Sequence, residues 1–259
     1  MSTLAGKRAI VTGASRGIGR AIARRLAQDG ARVMLAARSA DQLGEAADEI
    51  GGVGGEAAIA ALDLRDPASP ARLVELTLQS FGGVDIVVNN AGATQRGDFL
   101  SLDENAWSDG FALKFFGAVR LIREAWPSLR SGHGSVVNIA GVGGRTPGAE
   151  FAIGGSVNAA LLSLTKSLAD LGIADGVQVN AVSPGLVRTA RLQVRLEALA
   201  KQQGLDLTQA EAALVREKRM RRVGEPNDIA ELVAFIVSPQ GQFLHGSLID
   251  MDGGETKTL

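Results

Sequence analysis

The segment AIVTGASRGIG, spanning Ala9–Gly19, carries an apolar run into a helical periodicity through three glycines, and few folds accept such a junction. Arg8–Thr12 reads as a strand, while Ile18, Ile22 and Leu26 recur at helical spacing before Gly30, a plausible helix stop. Between them lie Gly13, Gly17 and Gly19, which permit positive φ and let backbone N–H groups approach a phosphate. The N-terminus of the following helix favours the anion there. The spacing is G-x-x-x-G-x-G and not G-x-G-x-x-G, so the strand-to-helix context carries the reading. Ser15, Arg16 and Ile18 fall inside the same loop and are expected to line it.

The rest of the chain repeats the pattern of short apolar runs alternating with longer amphipathic stretches, the signature of a doubly wound α/β fold. Strands are expected at Arg8–Thr12, Arg32–Ala37, Ala57–Leu62, Val84–Val88, Ser135–Ile139, Val177–Val182 and Ser247–Met251, giving a parallel sheet of seven with helices on both faces. Leu43, Ala47 and Ile50 mark a second helix ending at Gly51 and Gly52. The glycine clusters at Gly51–Gly55 and Gly141–Gly144 read as turns or close-approach loops. Residues 186–222, rich in Ala, Leu, Gln, Lys and Arg, read as a helical lid. At 259 residues and 46% hydrophobic content, residues 1–259 are expected to form a single domain.

Composition narrows the partners. A formal charge of −1 gives no basic field for nucleic acid or an anionic membrane, so a small molecule is the expected partner. The basic run KRMRR at 218–222 reads as a solvated helix end or a subunit contact. The absence of cysteine excludes disulfides and thiolate chemistry. His133 and His245 have no spaced second ligand, so surface or turn roles are expected and no metal site. The opening MSTLAGKRAIVTG lacks a signal-peptide pattern, and no apolar run approaches the roughly 20 residues that span a bilayer, so a soluble cytoplasmic protein is expected.

Further polar signals sit where strands end. Asp63-Leu64 closes the third strand, Asn89-Asn90-Ala91-Gly92 the fourth, and Pro184-Gly185 follows the sixth, at the sheet edge where open α/β folds bind ligands. With TGASRGIG, Asp63-Leu64, NNAG at 89–92 and NAVSPGLVRT at 180–189, the chain resembles the short-chain dehydrogenase/reductase family over nearly its whole length. The resemblance implies an extended Rossmann fold that binds a nicotinamide dinucleotide. It places Asp63 and Leu64 beside the adenine, Asn90, Ala91 and Gly92 in the groove, and Pro184, Gly185, Val187 and Thr189 around the nicotinamide. It also implies a homodimer or homotetramer. At the end of the second strand Ala37-Arg38 stands where an acidic residue would repel a 2′-phosphate, and Arg38 with Arg16 can fork around one, so NADP(H) is favoured over NAD(H).

The family's Asn-Ser-Tyr-Lys tetrad is where the resemblance ends. Alignment on LTKSLA at 164–169 puts Gly154 at the tyrosine position and Asn158 at the lysine position, and Gly141 takes the serine position. WSDGFALKFFG at 107–117 puts Lys114 at the asparagine position. No register error restores the phenol, because the chain contains no tyrosine. Lys166 lies eight residues beyond Asn158, about 12 Å along one helix, too far to replace the lysine. Lys114 is therefore the candidate proton donor or anion anchor, with Asn158 and Ser156 secondary; Ser156, Asn158 and Glu150 otherwise read as helix caps. The expected function is an NADP(H)-linked oxidoreductase of a small carbonyl or alcohol with a non-standard site. The competing expectation is an inactive nucleotide-binding regulatory or structural protein.

Overall fold

The computed structural model describes residues 3–257. Its core is a seven-stranded, wholly parallel sheet in the order β3-β2-β1-β4-β5-β6-β7. The strands are β1 (Arg8–Thr12), β2 (Arg32–Ala37), β3 (Glu56–Ala61), β4 (Ile86–Asn89), β5 (Ser135–Ile139), β6 (Gln178–Pro184) and β7 (Leu248–Met251). Helices α1 (Gly17–Gln28), α2 (Ala40–Gly52) and α9 (Pro226–Val237) cover one face, and α3 (Ser69–Phe81), α5 (Gly117–Ser131) and α6 (Ala152–Asp175) the other. This is the Rossmann-type doubly wound architecture.

Period-two alternation explains the two cores. Ala9 and Val11 of β1 pack toward Ile22 and Leu26 of α1, while Ile10 points the other way, toward Leu73 of α3 and Leu121 of α5. Both faces are covered, so β1 reads as an unbroken apolar run and not an alternating one.

All seven expected strands exist, with shifted ends. β3 begins and ends one residue early, because Leu62 turns away after its N–H bonds Ala37 O. Val84 and Asp85 precede β4, since Val84 N donates to Ser128 Oγ instead of to a strand. β6 runs on through Pro184, whose missing N–H does not prevent it from pairing beside Met251. α1 ends at Gln28 with Asp29 as its cap, and Gly30, at φ +93°, stops it: Gly30 N donates to Ala27 O and Ala31 N to Leu26 O, while Gly51 and Gly52 are the last two residues of α2.

The sheet reverses its order of connection between β1 and β4, and that is where the crevice opens. Thr12 stitches the two strand ends. Its Oγ1 donates to Val88 O and accepts from Asn90 N and Ala91 N, each at 3.0 Å, while Asn90 Nδ2 donates to Thr12 O at 3.0 Å. Deeper in the sheet, Asn89 Nδ2 donates to Asn138 Oδ1, and Asn138 Nδ2 donates to Thr165 Oγ1, both at 2.9 Å. This buried chain fixes β4, β5 and α6 relative to one another, since an unpaired member would carry its full desolvation cost.

Beyond β6, α7 (Ala190–Gln203) and α8 (Leu207–Lys218) form the expected helical segment. Leu192 and Leu196 pack on Ala210, Leu214 and Val223 in a small core of their own. Arg188 anchors the base of the segment through Glu211 at 2.7 Å and Glu225 at 2.8 Å. The basic run 218–222 is tied down within the chain, Lys218 to Glu255 at 3.3 Å and Arg222 to Asp228 at 2.6 Å. Among the described residues no helix is long and apolar enough to cross a membrane.

Candidate active site

The glycine loop is shaped by close approach. Gly13 has φ +65°, and a β-carbon there would lie 2.9 Å from Asn90 Nδ2; one at Gly19 would lie 2.2 Å from Gly13 O. Neither position accepts a side chain without displacing backbone. Arg16 caps α1 without a side-chain bond, which leaves the first N–H groups of the helix facing the loop. Thr189, at the start of α7, closes the other side: its Cγ2 would be 3.3 Å from a β-carbon on Gly17. Ser15 is buried in the loop, and Ile18 is partly buried against the core.

The remaining groove residues fall in place around the loop. Asp63 Oδ1 accepts from Arg65 N at 3.0 Å, and Arg65 also grips Asp109 of α4 (Glu104–Phe111) through two nitrogens. Asp109 is held below the usual carboxylate range by the Arg65 hydrogen bonds, opposed by burial, with the charges of Arg65 and Arg38 adding to the effect. Leu64 is buried under this cluster, and Pro184 and Val187 are buried at the β6 end, with Gly185 partly exposed. Arg16 and Arg38 are both exposed. Arg38 lies toward Asp109, whereas the charge of Arg16 acts on Arg191.

The four positions aligned with the missing tetrad converge. Lys114 sits in a π-helical turn, Ala112–Phe116, that interrupts the helix running from α4 into α5, and such turns often mark functional sites. Its stem lies flat on Gly92, where a β-carbon would stand 2.9 Å from Cδ. Its Nζ donates to Ala140 O and to Asn158 Oδ1, each at 2.6 Å. Asn158 is buried on α6, and its Nδ2 would be 3.0 Å from a β-carbon on Gly141. Gly141 has φ +140°, a backbone that serine would adopt only with strain. Gly154 faces the ring of Phe151, which a β-carbon there would approach to 2.1 Å, and Gly143 flanks the same ring at 2.6 Å. A phenylalanine ring thus fills the space that a side chain on Gly154 would take.

Electrostatics sets Lys114 apart. Burial, reinforced by the Arg191 charge, lowers its pKa from 10.5 to about 7. Two hydrogens of the nitrogen are committed to Ala140 O and Asn158 Oδ1, so the remaining tetrahedral site carries the exchangeable proton. An amine poised near neutrality can give or take that proton at physiological pH.

Two expectations need correction. Ser156 is exposed and is not brought to the Lys114–Asn158 pair, because two residues from Asn158 on a helix put it on another face. Nor do Ser156, Asn158 or Glu150 cap α6, whose N-cap is Phe151 with no side-chain bond. His133 occupies an exposed turn at φ 47°, and His245 Nε2 meets Ala169 O at 2.6 Å. Among the described residues no group of three or more His, Asp or Glu is placed to hold a metal ion.

Sequence reasoning missed Phe151, Arg96 and Arg191. Arg96 lies on the loop after β4 with its guanidinium 4.2 Å from the Phe151 ring centroid, and Arg191 Nη2 donates to Gly92 O at 2.9 Å. A signal for the second existed: Arg191 and Arg195 share a helix face immediately after Thr189.

A family model described as enoyl-(acyl carrier protein) reductase matches residues 13–256. An uncharacterized oxidoreductase of Mycobacterium tuberculosis is 38% identical over 258 residues, covering 99% of this chain and 94% of its own. The crystal structure of L-sorbose reductase from Gluconobacter frateurii, complexed with NADPH and L-sorbose, superposes with a TM-score of 0.95 at 33% identity over 100% of both chains. A short-chain oxidoreductase from Pseudomonas aeruginosa, described as containing an atypical catalytic center, superposes with a TM-score of 0.91 at 30% identity over 99% of both chains. The chain belongs to the short-chain dehydrogenase/reductase family of oxidoreductases.

Proposed function

We propose that the protein is an NADP(H)-dependent oxidoreductase of a small carbonyl or alcohol, with Lys114 as the proton donor in place of the missing tyrosine. The observation that carries this reading is the Lys114 Nζ held at 2.6 Å by both Asn158 Oδ1 and Ala140 O, with its acidity drawn to about 7.

The residues present fit a nicotinamide dinucleotide. Gly13 and Gly19 let the loop fold tightly onto Asn90 and onto itself, as side chains there would not, and the uncapped start of α1 suits a pyrophosphate. Arg38, in the place of an acidic residue, favours the 2′-phosphate form, and the NADPH complex of the sorbose reductase supports the same choice. Asp63, Leu64, Asn90, Ala91, Pro184, Gly185, Val187 and Thr189 would line the groove. When bound, the nicotinamide supplies or accepts the hydride.

The chain's own residues then have separable tasks. Lys114 holds a proton at Nζ for the developing alkoxide during reduction, or takes one during oxidation. Asn158 positions that amine, and Gly141 and Gly154 leave room before it. The segment 186–222 acts as a lid whose Thr189 end meets the glycine loop. Leu171 and Ile173, exposed on α6, support assembly of two copies of this chain.

Fluorescence titration with NADPH, coupled to NADPH consumption across a panel of carbonyl compounds and repeated in Lys114→Met, tests the reading. Tight binding with turnover that collapses in the variant is expected. Binding without turnover by the wild type would favour the inactive nucleotide-binding protein instead.

A further inference from the structure

Given the reductase reading above, on which this step rests, we infer that the substrate is itself an anion: a carbonyl compound carrying a carboxylate or phosphate group that docks on Arg96, Arg191 and Arg195 beside the Lys114–Asn158 pair.

The four cations surround one space. Arg96 rests on Phe151, the ring wedged between Gly143 and Gly154. Arg191 donates to the carbonyl of Gly92, the residue on which the Lys114 stem lies. Arg195 follows Arg191 by one turn on the same face of α7. The groups feel one another: Arg96 is held below the usual arginine range by burial and then by the charges of Arg195 and Arg191, and Arg191 by burial and then by Arg16.

No carboxylate answers them. Among the described residues, Arg96, Arg191 and Arg195 form no ion pair; Glu150 acts on Arg96 only from beyond ion-pair distance. Neighbouring arginines at the same edge of the fold are met by close acids, Arg65 by Asp109 and Arg188 by Glu211 and Glu225. Like charges gathered in a partly desolvated pocket repel, and an anionic ligand removes that repulsion on binding. Planar guanidinium forks match the paired oxygens of a carboxylate or phosphate. Arg191 lies within reach of the Arg16 charge on the glycine loop, but Arg96 stands on the Phe151 wall, so the cofactor's phosphates do not account for the whole cluster.

Two matched pairs provide the test: levulinate with methyl levulinate, and dihydroxyacetone phosphate with dihydroxyacetone. Each is assayed with NADPH against the wild type, Arg96→Gln and Arg195→Gln, and titrated into the NADPH-loaded protein by tryptophan fluorescence. A charge-assisted hydrogen bond contributes about 1.5–3 kcal/mol, so at least one charged member should exceed its neutral partner by roughly 10- to 100-fold in kcat/KM. Either variant should shrink that ratio by about 10-fold, through KM, while the NADPH Kd stays at the wild-type value. Which pair responds tells carboxylate from phosphate. Charged probes that neither bind better nor react faster than their partners overturn the inference, with NADPH turnover of neutral compounds left standing. Equal loss on both members of a pair also overturns it. Charged-probe binding that weakens in the variants without any NADPH consumption upholds the anion site and sinks the reductase reading instead.

Discussion

The ring of Phe151 stands where a side chain on Gly154 would have to begin, 2.1 Å from the nearest ring carbons. The two positions are therefore coupled, and the site cannot be returned to the family pattern by one substitution. Gly154→Ala should destabilise the protein by about 1–3 kcal/mol through overpacking. In a Phe151→Ala background the same change should cost much less, a non-additivity that denaturant titration of the four variants measures directly. Additive costs would show that the ring and the glycine are independent.

Lys114 trades stability for chemistry. Drawing its pKa from 10.5 to about 7 costs about 5 kcal/mol at pH below 7, at roughly 1.4 kcal/mol per tenfold change. Replacing it with methionine removes that cost but leaves Ala140 O and Asn158 Oδ1 without the amine, a penalty of about 1–3 kcal/mol each. Lys114→Met should therefore shift stability at pH 7 only by the difference, from about −1 to about +3 kcal/mol in the variant's favour, and lower kcat about 10²–10⁴-fold. The unfolded chain binds the extra proton between about 7 and 10.5, so the advantage of the variant should fade as pH rises through that window. An advantage independent of pH would disprove the buried ammonium.

The same group sets the pH profile. The donor must be protonated, so kcat for carbonyl reduction should fall as pH rises through about 7, and kcat for alcohol oxidation should rise through the same value. Asn158→Asp puts a carboxylate against the ammonium and favours its charged form, so both limbs should move upward by about one pH unit or more. Profiles that stay put in this variant would remove Lys114 from the proton transfer.

Cofactor choice rests on Arg38. Arg38→Glu should repel a 2′-phosphate, weaken NADPH by roughly 10- to 100-fold, and leave NADH far less affected. Titration with both dinucleotides reads the ratio. Because Arg38 also lies toward Asp109, the control is Asp109→Asn, which should not invert the preference.

The sheet and the phosphate loop were legible because local rules write them: apolar runs for buried parallel strands, and glycines where a chain turns from strand to helix. The convergence of Lys114, Gly141, Gly154 and Asn158 was legible only through the resemblance, since Lys114 and Asn158 are far apart in sequence and no periodicity links them. Phe151 was not legible. Whether a phenylalanine fills a void depends on the two glycines that face its ring, one of them on a different segment, which is a property of packing and not of pattern. Arg96 and Arg191 escaped for a related reason: a surface arginine and a site arginine look alike until the acids that fail to reach them can be seen.

The π-helical turn at Ala112–Phe116 behaves as a single extra residue slipped into an otherwise continuous rod. Deleting one residue there would let the rod close into a regular helix whose two ends keep their facing, while Lys114 inside the turn would lose its aim. The amine's aim at Asn158 is thus encoded in how many residues the rod contains as much as in which ones, and a length change would scramble it while every side chain in the pocket kept its identity.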